Sequence, residues 1–401
     1  MPSEVRATIQ LTSVRFKRTV LQRPLLLAAA ALVAASGPAA AHVKWFAPYI
    51  VDASPQPIAA TLTNTWFWAG IALVLAFFLV AIAIERRSLG QNVLAAMDRV
   101  TAPVALRADD FMRAATAAFF VAIFAVGGVY LTPDLQTPSE LVSWAQLAIA
   151  AGIFSRRTMP FSAAGIIALW LIALRDYDFF HLLDYLALGV GVAGYLLLAF
   201  LDDQRWREKR FAVLFWGVAI ALMWSSLEKF AYPEWFYPLV EEKPFLTFGL
   251  PRDVFIPMAG VAEFTLGFGL IWSPLVRRLS AISLLVIFTT AVYPFGRIDL
   301  IGHAMIMAAL VLIAVDPVRK DAAQATTAPL PALRTRRMVT VPAALSLALV
   351  AVASGYWGLH AAFYGIEANA TLRNTSTHSD SAEHPHGPGS AKAVQPATHS
   401  H

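Results

Sequence analysis

The chain contains no cysteine. That absence excludes disulfides, thiolate metal sites, thiol redox chemistry and a bacterial lipoprotein anchor, so any metal must be held by His, Asp, Glu or Met. Charge is scarce as well: Lys, Arg, Asp and Glu make up 14% of the 401 residues, against roughly 25% in an average soluble domain. Apolar residues make up 58% and the mean hydropathy is +0.60, so there is no polar shell to cover a soluble core. Also missing are the phosphate-binding Gly-Lys-Ser/Thr loop, a GxGxxG fingerprint, HExxH, CxxCH and the GxSxG elbow. These absences argue against ATP-driven pumping.

What is present is a series of apolar runs near the ~20-residue length of a bilayer crossing. About ten are predicted, at 66–84, 114–131, 142–154, 161–174, 181–201, 211–227, 255–273, 279–295, 300–316 and 341–361. Before them stands the anatomy of a secretory signal: the basic "FKRTVLQRP", the short apolar "LLLAAAALVAA", and "SGPAAA" ahead of a cut after Ala41. The rival, a retained helix over 25–41, is marginal in length and broken by Gly37-Pro38. Cleavage makes His42 the first residue. The leader carries Arg6, Arg15, Lys17, Arg18 and Arg23 against Glu4, which is +4 of the formal +5. A pI near 9.5 is therefore no sign of a nucleic-acid partner.

The positive-inside rule orients the chain. With His42 outside, the internal loops hold Arg86, Arg87, Arg99, Arg107, Arg113, Arg156, Arg157, Arg205, Arg207, Lys209, Arg210, Arg277, Arg278, Arg319, Lys320, Arg334, Arg336 and Arg337. Only Lys44, Arg175, Lys229, Lys243, Arg252, Arg297, Arg373 and Lys392 fall outside. The expectation is an all-α polytopic protein of a bacterial cytoplasmic membrane, with both mature ends in the periplasm. Its parts are a signal peptide (1–41), a periplasmic segment (42–65), a first span (66–84), an interfacial segment (85–113), a four-helix repeat (114–201), a second (211–316), a basic loop (317–340), a last span (341–361) and a disordered tail (362–401).

The repeat is read from the residues. "FVAIFAVGG" from Phe120 lies over "GVAIALMWS" from Gly217, "WAQLAIAAGIFSRR" over "VAEFTLGFGLIWSPLVRR", and "RDYDFFH" over "RIDLIGH". Four spans per unit put both copies in the same orientation, so the repeats are parallel. Glu263 stands where the first copy has Gln146, and Lys229 where it has Thr132. A lone charge at that depth costs at least ~2.5–3.5 kcal/mol, so Glu263 needs a partner, and Lys229 and Arg297 are the candidates. The paired loss of both charges in the first copy fits an ion pair, whether it serves as structural glue or as chemistry.

The stretches "LEKFAYPEWF", "AGVAEFTLGFGLIWSPLVRRLSA" and "GRIDLIGH" resemble the DoxX-like family of four-helix bacterial membrane proteins, over residues 211–316 with an echo over 114–201. Lys229, Glu263, Gly267, Gly269 and Arg278 match that family's pattern of a Lys after the first helix, Glu and Gly in the second, and Arg after it. The resemblance implies a four-helix bundle associated with thiosulfate:quinone or other membrane-linked oxidoreductases. The duplication and flanking spans depart from the single-unit family.

Other residues carry candidate chemistry. In the aromatic loop 230–251, Trp235 and Tyr237 either lie on the membrane interface or line a quinone mouth. Asp178, His181 and Asp184 in the first copy, and Asp299 and His303 in the second, sit at external helix ends; His181 and Asp184 share a helix face, as a ligand or relay pair would. A mature His42 offers an amine and an imidazole to copper or zinc, and the tail adds His378, His384, His386, His399 and His401. Three readings stay open: a quinone-linked redox protein centred on Glu263, Lys229 and Arg297, with Trp235, Tyr237 and His303 toward the cofactor; a copper or zinc handler using His42 and the tail; and a non-catalytic anchor for an oxidoreductase or for further copies of itself. Intact-mass measurement of untagged protein from membranes is expected to give a chain beginning at His42; a retained Met1 or Leu25 terminus would refute the cut.

Overall fold

The computed structural model describes Lys44, residues 53–317 and the backbone of residues 331–377, with side chains over 340–365 of that last stretch. In chain order the helices are α1 (Ile58–Thr63), α2 (Thr65–Glu85), α3 (Ser88–Ala105), α4 (Ala108–Val126), α5 (Glu140–Ile153), α6 (Met159–Ala173), α7 (Phe179–Phe200), α8 (Gln204–Arg207), α9 (Arg210–Ser225), α10 (Glu228–Ala231), α11 (Tyr237–Glu242), α12 (Arg252–Gly269), α13 (Pro274–Val315) and α14 (Pro331–Thr377). Single 3-10 turns lie at Pro233–Phe236 and Pro244–Thr247. Among the described residues the sole strand-like feature is an isolated bridge between Val129 and Gln136.

Among the described residues five helical stretches are long and apolar enough to cross a membrane: Thr65–Glu85, Phe179–Phe200, Gln204–Ala231, Pro274–Val315 and Thr340–Gly365. The protein is a helical membrane protein in contact with lipid. Two further apolar helices, α5 and α6, are shorter, at 14 and 15 residues.

Local chemistry sets the boundaries. Asn64 caps α2 by accepting the backbone N–H groups of Trp66 (2.8 Å) and Phe67 (3.3 Å). Helix α4 stops at Gly127 and Gly128, whose φ angles of 74° and 61° suit glycine. The 42 residues of α13 break where Pro294 removes a ladder N–H and Gly296 turns to φ 73°, ψ −155°.

Helices α4, α5, α6 and α7 pack each on the next. Helix α7 then packs on α9, α9 on α12 and α12 on α13, while α13 returns to α4; α2 lies against α12 and α13, and α3 against α13. The α7–α9 crossing is close because it is made of glycines: a Cβ on Gly217 would stand 2.7 Å from both the Ala187 carbonyl and the Gly191 Cα. The chain divides into two units, residues 1–357 and 358–401, and of the second the structure describes the end of α14.

Several expected boundaries are corrected. The helix expected over 114–131 ends at Val126, because the Gly127-Gly128 pair breaks it. The basic loop expected over 317–340 turns helical at Pro331, and helix continues to Thr377 within the expected disordered tail. Residues 366–377 contain neither Pro nor Gly, so nothing local stops the helix there.

Gly217→Val is expected to destabilise the protein by about 1–3 kcal/mol through overpacking at this crossing. Gly355→Ala, whose Cβ would meet nothing nearer than the Trp224 ring at 4.0 Å, is the control. Unfolding in mixed micelles checks the pair.

Candidate functional site

At the end of α9 the chain passes through Ser226 and Leu227 into α10, which sets Glu228 and Lys229 side by side. Successive helical residues point about 100° apart, so the two side chains reach different partners. Lys229 donates to Glu263 on α12 at 2.5 Å, with both side chains buried, and its ammonium stands 4.9 Å from the centre of the Phe236 ring. Gly260, one turn before Glu263, makes room: a Cβ there would meet the Phe230 ring at 2.7 Å and the Lys229 Cβ at 3.1 Å.

Glu228 turns to Lys44, 2.6 Å away. Lys44 is also ion-paired with Asp184 of α7, whose other oxygen accepts from the Trp224 indole N–H at 2.9 Å. All three ionic side chains are buried. Burial works against the ammonium form of Lys44, but Asp184 and Glu228 outweigh it and hold the group above the ordinary lysine range. Above Lys44 lies Trp235, 5.8 Å to the ring centre, itself stacked on Tyr232 at 4.0 Å.

The cluster extends to the loop after α4. Tyr185 donates to Asp134, and His181 Nε2 lies 3.9 Å from the same carboxylate. Asp178 caps α7, accepting the His181 backbone N–H at 2.9 Å. His181 and Asp184, expected to act as a pair, thus serve different partners, Asp134 for the first and Lys44 and Trp224 for the second. Asp134, Asp184, Glu228 and Glu263 set four carboxylates against the ammonium groups of Lys44 and Lys229.

Of the residues expected to act together, Lys229 and Glu263 meet and Arg297 does not join them. Arg297 is exposed, because it follows directly on the Gly296 break that redirects α13. Trp235 is buried, stacked on Tyr232, with the Lys44 ammonium 5.8 Å from its ring centre. Tyr237 stands apart, with the Arg252 guanidinium over its ring at 4.2 Å. His303 is buried beside Asp299, Nδ1 to carboxylate 3.1 Å, with its ring on Phe288. His42, His378, His384, His386, His399 and His401 lie outside the described residues. Among the described residues no three His, Asp or Glu side chains converge as a metal site.

Sequence reasoning missed Lys44, Asp134 and Trp224. A signal for Lys44 existed: Asp184 and Glu228 needed a counter-ion as Glu263 did, and few external cations were available. Comparison of the chain with protein-family models, with curated proteins and with solved structures finds no match.

Lys229→Met and Glu263→Gln are each expected to cost about 3–5 kcal/mol by leaving a buried partner uncompensated, with the double variant costing less than their sum. A double-mutant cycle of unfolding free energies that returned no coupling would contradict the pair.

Proposed function

We propose that the chain is a ten-span protein of a bacterial cytoplasmic membrane, formed by two parallel four-helix units with one flanking helix at each end, and that its outer charged cluster handles protons for a quinone-linked redox process. The observation that carries this reading is the enclosed Lys229–Glu263 pair, with the Lys44–Asp184–Glu228 cluster beginning at the adjacent residue. Mere anchoring does not call for two neighbouring buried ion pairs, each costly to desolvate.

Three features support the duplication. Helix α7, last of the first unit, packs on α9, first of the second, while α13 packs back on α4, as a pseudo-two-fold arrangement requires. Gln146 donates to the Val129 and Tyr130 carbonyls at 2.6 and 2.7 Å, tying the second helix to the loop after the first, as Glu263 does through Lys229. Arg156 is paired with Asp202 just beyond α7 at 3.1 Å, and its counterpart Arg277 with Asp316 just beyond α13 at 3.0 Å. At about 1.5 Å per residue the halves of α13 are each long enough for one crossing of a ~30 Å core. The positive-inside rule assigns the basic loops to the cytoplasmic side, which supports a periplasmic position for the cluster.

Reduction of a quinone consumes two electrons and two protons, and quinol oxidation returns them. In this reading a membrane-linked oxidoreductase supplies or accepts the electrons. Lys229 and Glu263 exchange the protons, and Glu228, Asp184 and Lys44 connect that pair to the outer face. The resemblance to DoxX-like proteins at Lys229, Glu263, Gly267, Gly269 and Arg278 points the same way.

In membranes from cells lacking the chromosomal copy and complemented in trans, Glu263→Gln is expected to lower quinone-linked electron transfer at least about tenfold, an effect of the size expected of a positioned acid or base. Arg297→Gln is expected to leave it intact. Full activity in Glu263→Gln, at wild-type protein levels, would sink the proposal.

A further inference from the structure

The bundle end opposite the charged cluster carries a cavity of about 670 Å³, bounded by the start of α9, the turn between α12 and α13, and the chain beyond α13. That volume is in the range of sites that take a sizeable ligand. One wall is aromatic, with Phe215 buried and Trp216 and Trp272 beside it; Trp216 is 53% exposed on the outer surface of α9. The rim is basic. Arg277 is paired with Asp316 at 3.0 Å and leaves its Nε without an acceptor. Arg205 and Lys209 are exposed and make no ion pair among the described residues; Lys209 lies over the Trp206 ring at 4.5 Å.

A basic rim above an aromatic wall, at the end of membrane-crossing helices, matches an anionic head group joined to an apolar body. We propose that this cavity binds the head group of an anionic phospholipid, with Arg205, Lys209 and Arg277 on the phosphate and Trp216 and Trp272 against the upper acyl chain. A free phosphate would share the charge contacts but leave the aromatic wall unused. The inference rests on the cavity and its residues, and does not require the redox reading.

The test is native mass spectrometry of the full-length protein titrated with phosphatidylglycerol or with phosphatidylcholine. Wild type is expected to bind phosphatidylglycerol at least about tenfold more tightly than phosphatidylcholine, and Arg205→Gln/Lys209→Gln to lose that preference, two cations near the surface being enough for such a factor. Arg99→Gln, which removes an exposed charge outside the cavity, is expected to keep it. Both replaced side chains are exposed, so the double variant is expected to fold, and its unfolding temperature in phosphatidylcholine checks that. Equal binding of the two lipids by wild type, or an unchanged preference in the folded double variant, overturns the proposal. Displacement of phosphatidylglycerol by millimolar inorganic phosphate overturns the lipid as occupant and assigns the rim to a soluble phosphate instead.

Discussion

Lys44 sits between Asp184 and Glu228, and this arrangement reconciles the close packing of α7 and α9 with the charges they carry. Those helices cross at Gly191 and Gly217, where backbone nearly touches backbone, so the residues at their shared end are forced together. Two carboxylates in that setting repel strongly, because the surroundings screen little. One ammonium between them turns the repulsion into two attractions. The cation lies 140 positions before Asp184 in the sequence, so a residue outside the bundle helices holds their shared end together.

Two buried ties differ in charge. The tie between α5 and the loop before it is neutral, made by the Gln146 amide to two carbonyls. The tie between α12 and α10 is ionic, Glu263 to Lys229. The neutral version holds the helices without paying for desolvated ions. The ionic version adds a group able to gain and lose a proton, which a purely structural tie does not need. Arginines work comparably at the other end: Arg156 satisfies carbonyls beyond α7 and the fully buried Arg278 joins the carbonyl beyond α13 to Asp98 of α3. The last carbonyls of these helices thereby find side-chain donors.

Much of the architecture was legible before any coordinates. The apolar runs fall on helices, the Glu263 requirement for a cation led to Lys229, and the doubled arginines marked the loops that cap α7 and α13. Errors came where short-range signals were weaker than assumed. Gly127-Gly128 ended α4 earlier than its hydropathy suggested, and α14 ran past its apolar stretch because no breaker stood in the way. The candidate site was half visible. Arg297 stood as a second candidate partner for Glu263, since spacing along the chain says nothing about the break at Gly296 that leaves it exposed.

Length and polarity of each apolar segment are properties of the one-dimensional chain, and the bilayer reads them directly because an unsatisfied peptide group in hydrocarbon is so costly. Composition alone therefore determined that this is a helical membrane protein, that cysteine chemistry plays no part, and that a buried Glu263 demanded a cation. Which cation it met, that Lys44 bridges Asp184 and Glu228, that His181 faces Asp134, and that Arg205 and Lys209 stand on the rim of an aromatic cavity were decided by tertiary structure alone. Such pairings depend on distances of a few ångströms between residues dozens or hundreds of positions apart, and helix packing fixes those distances.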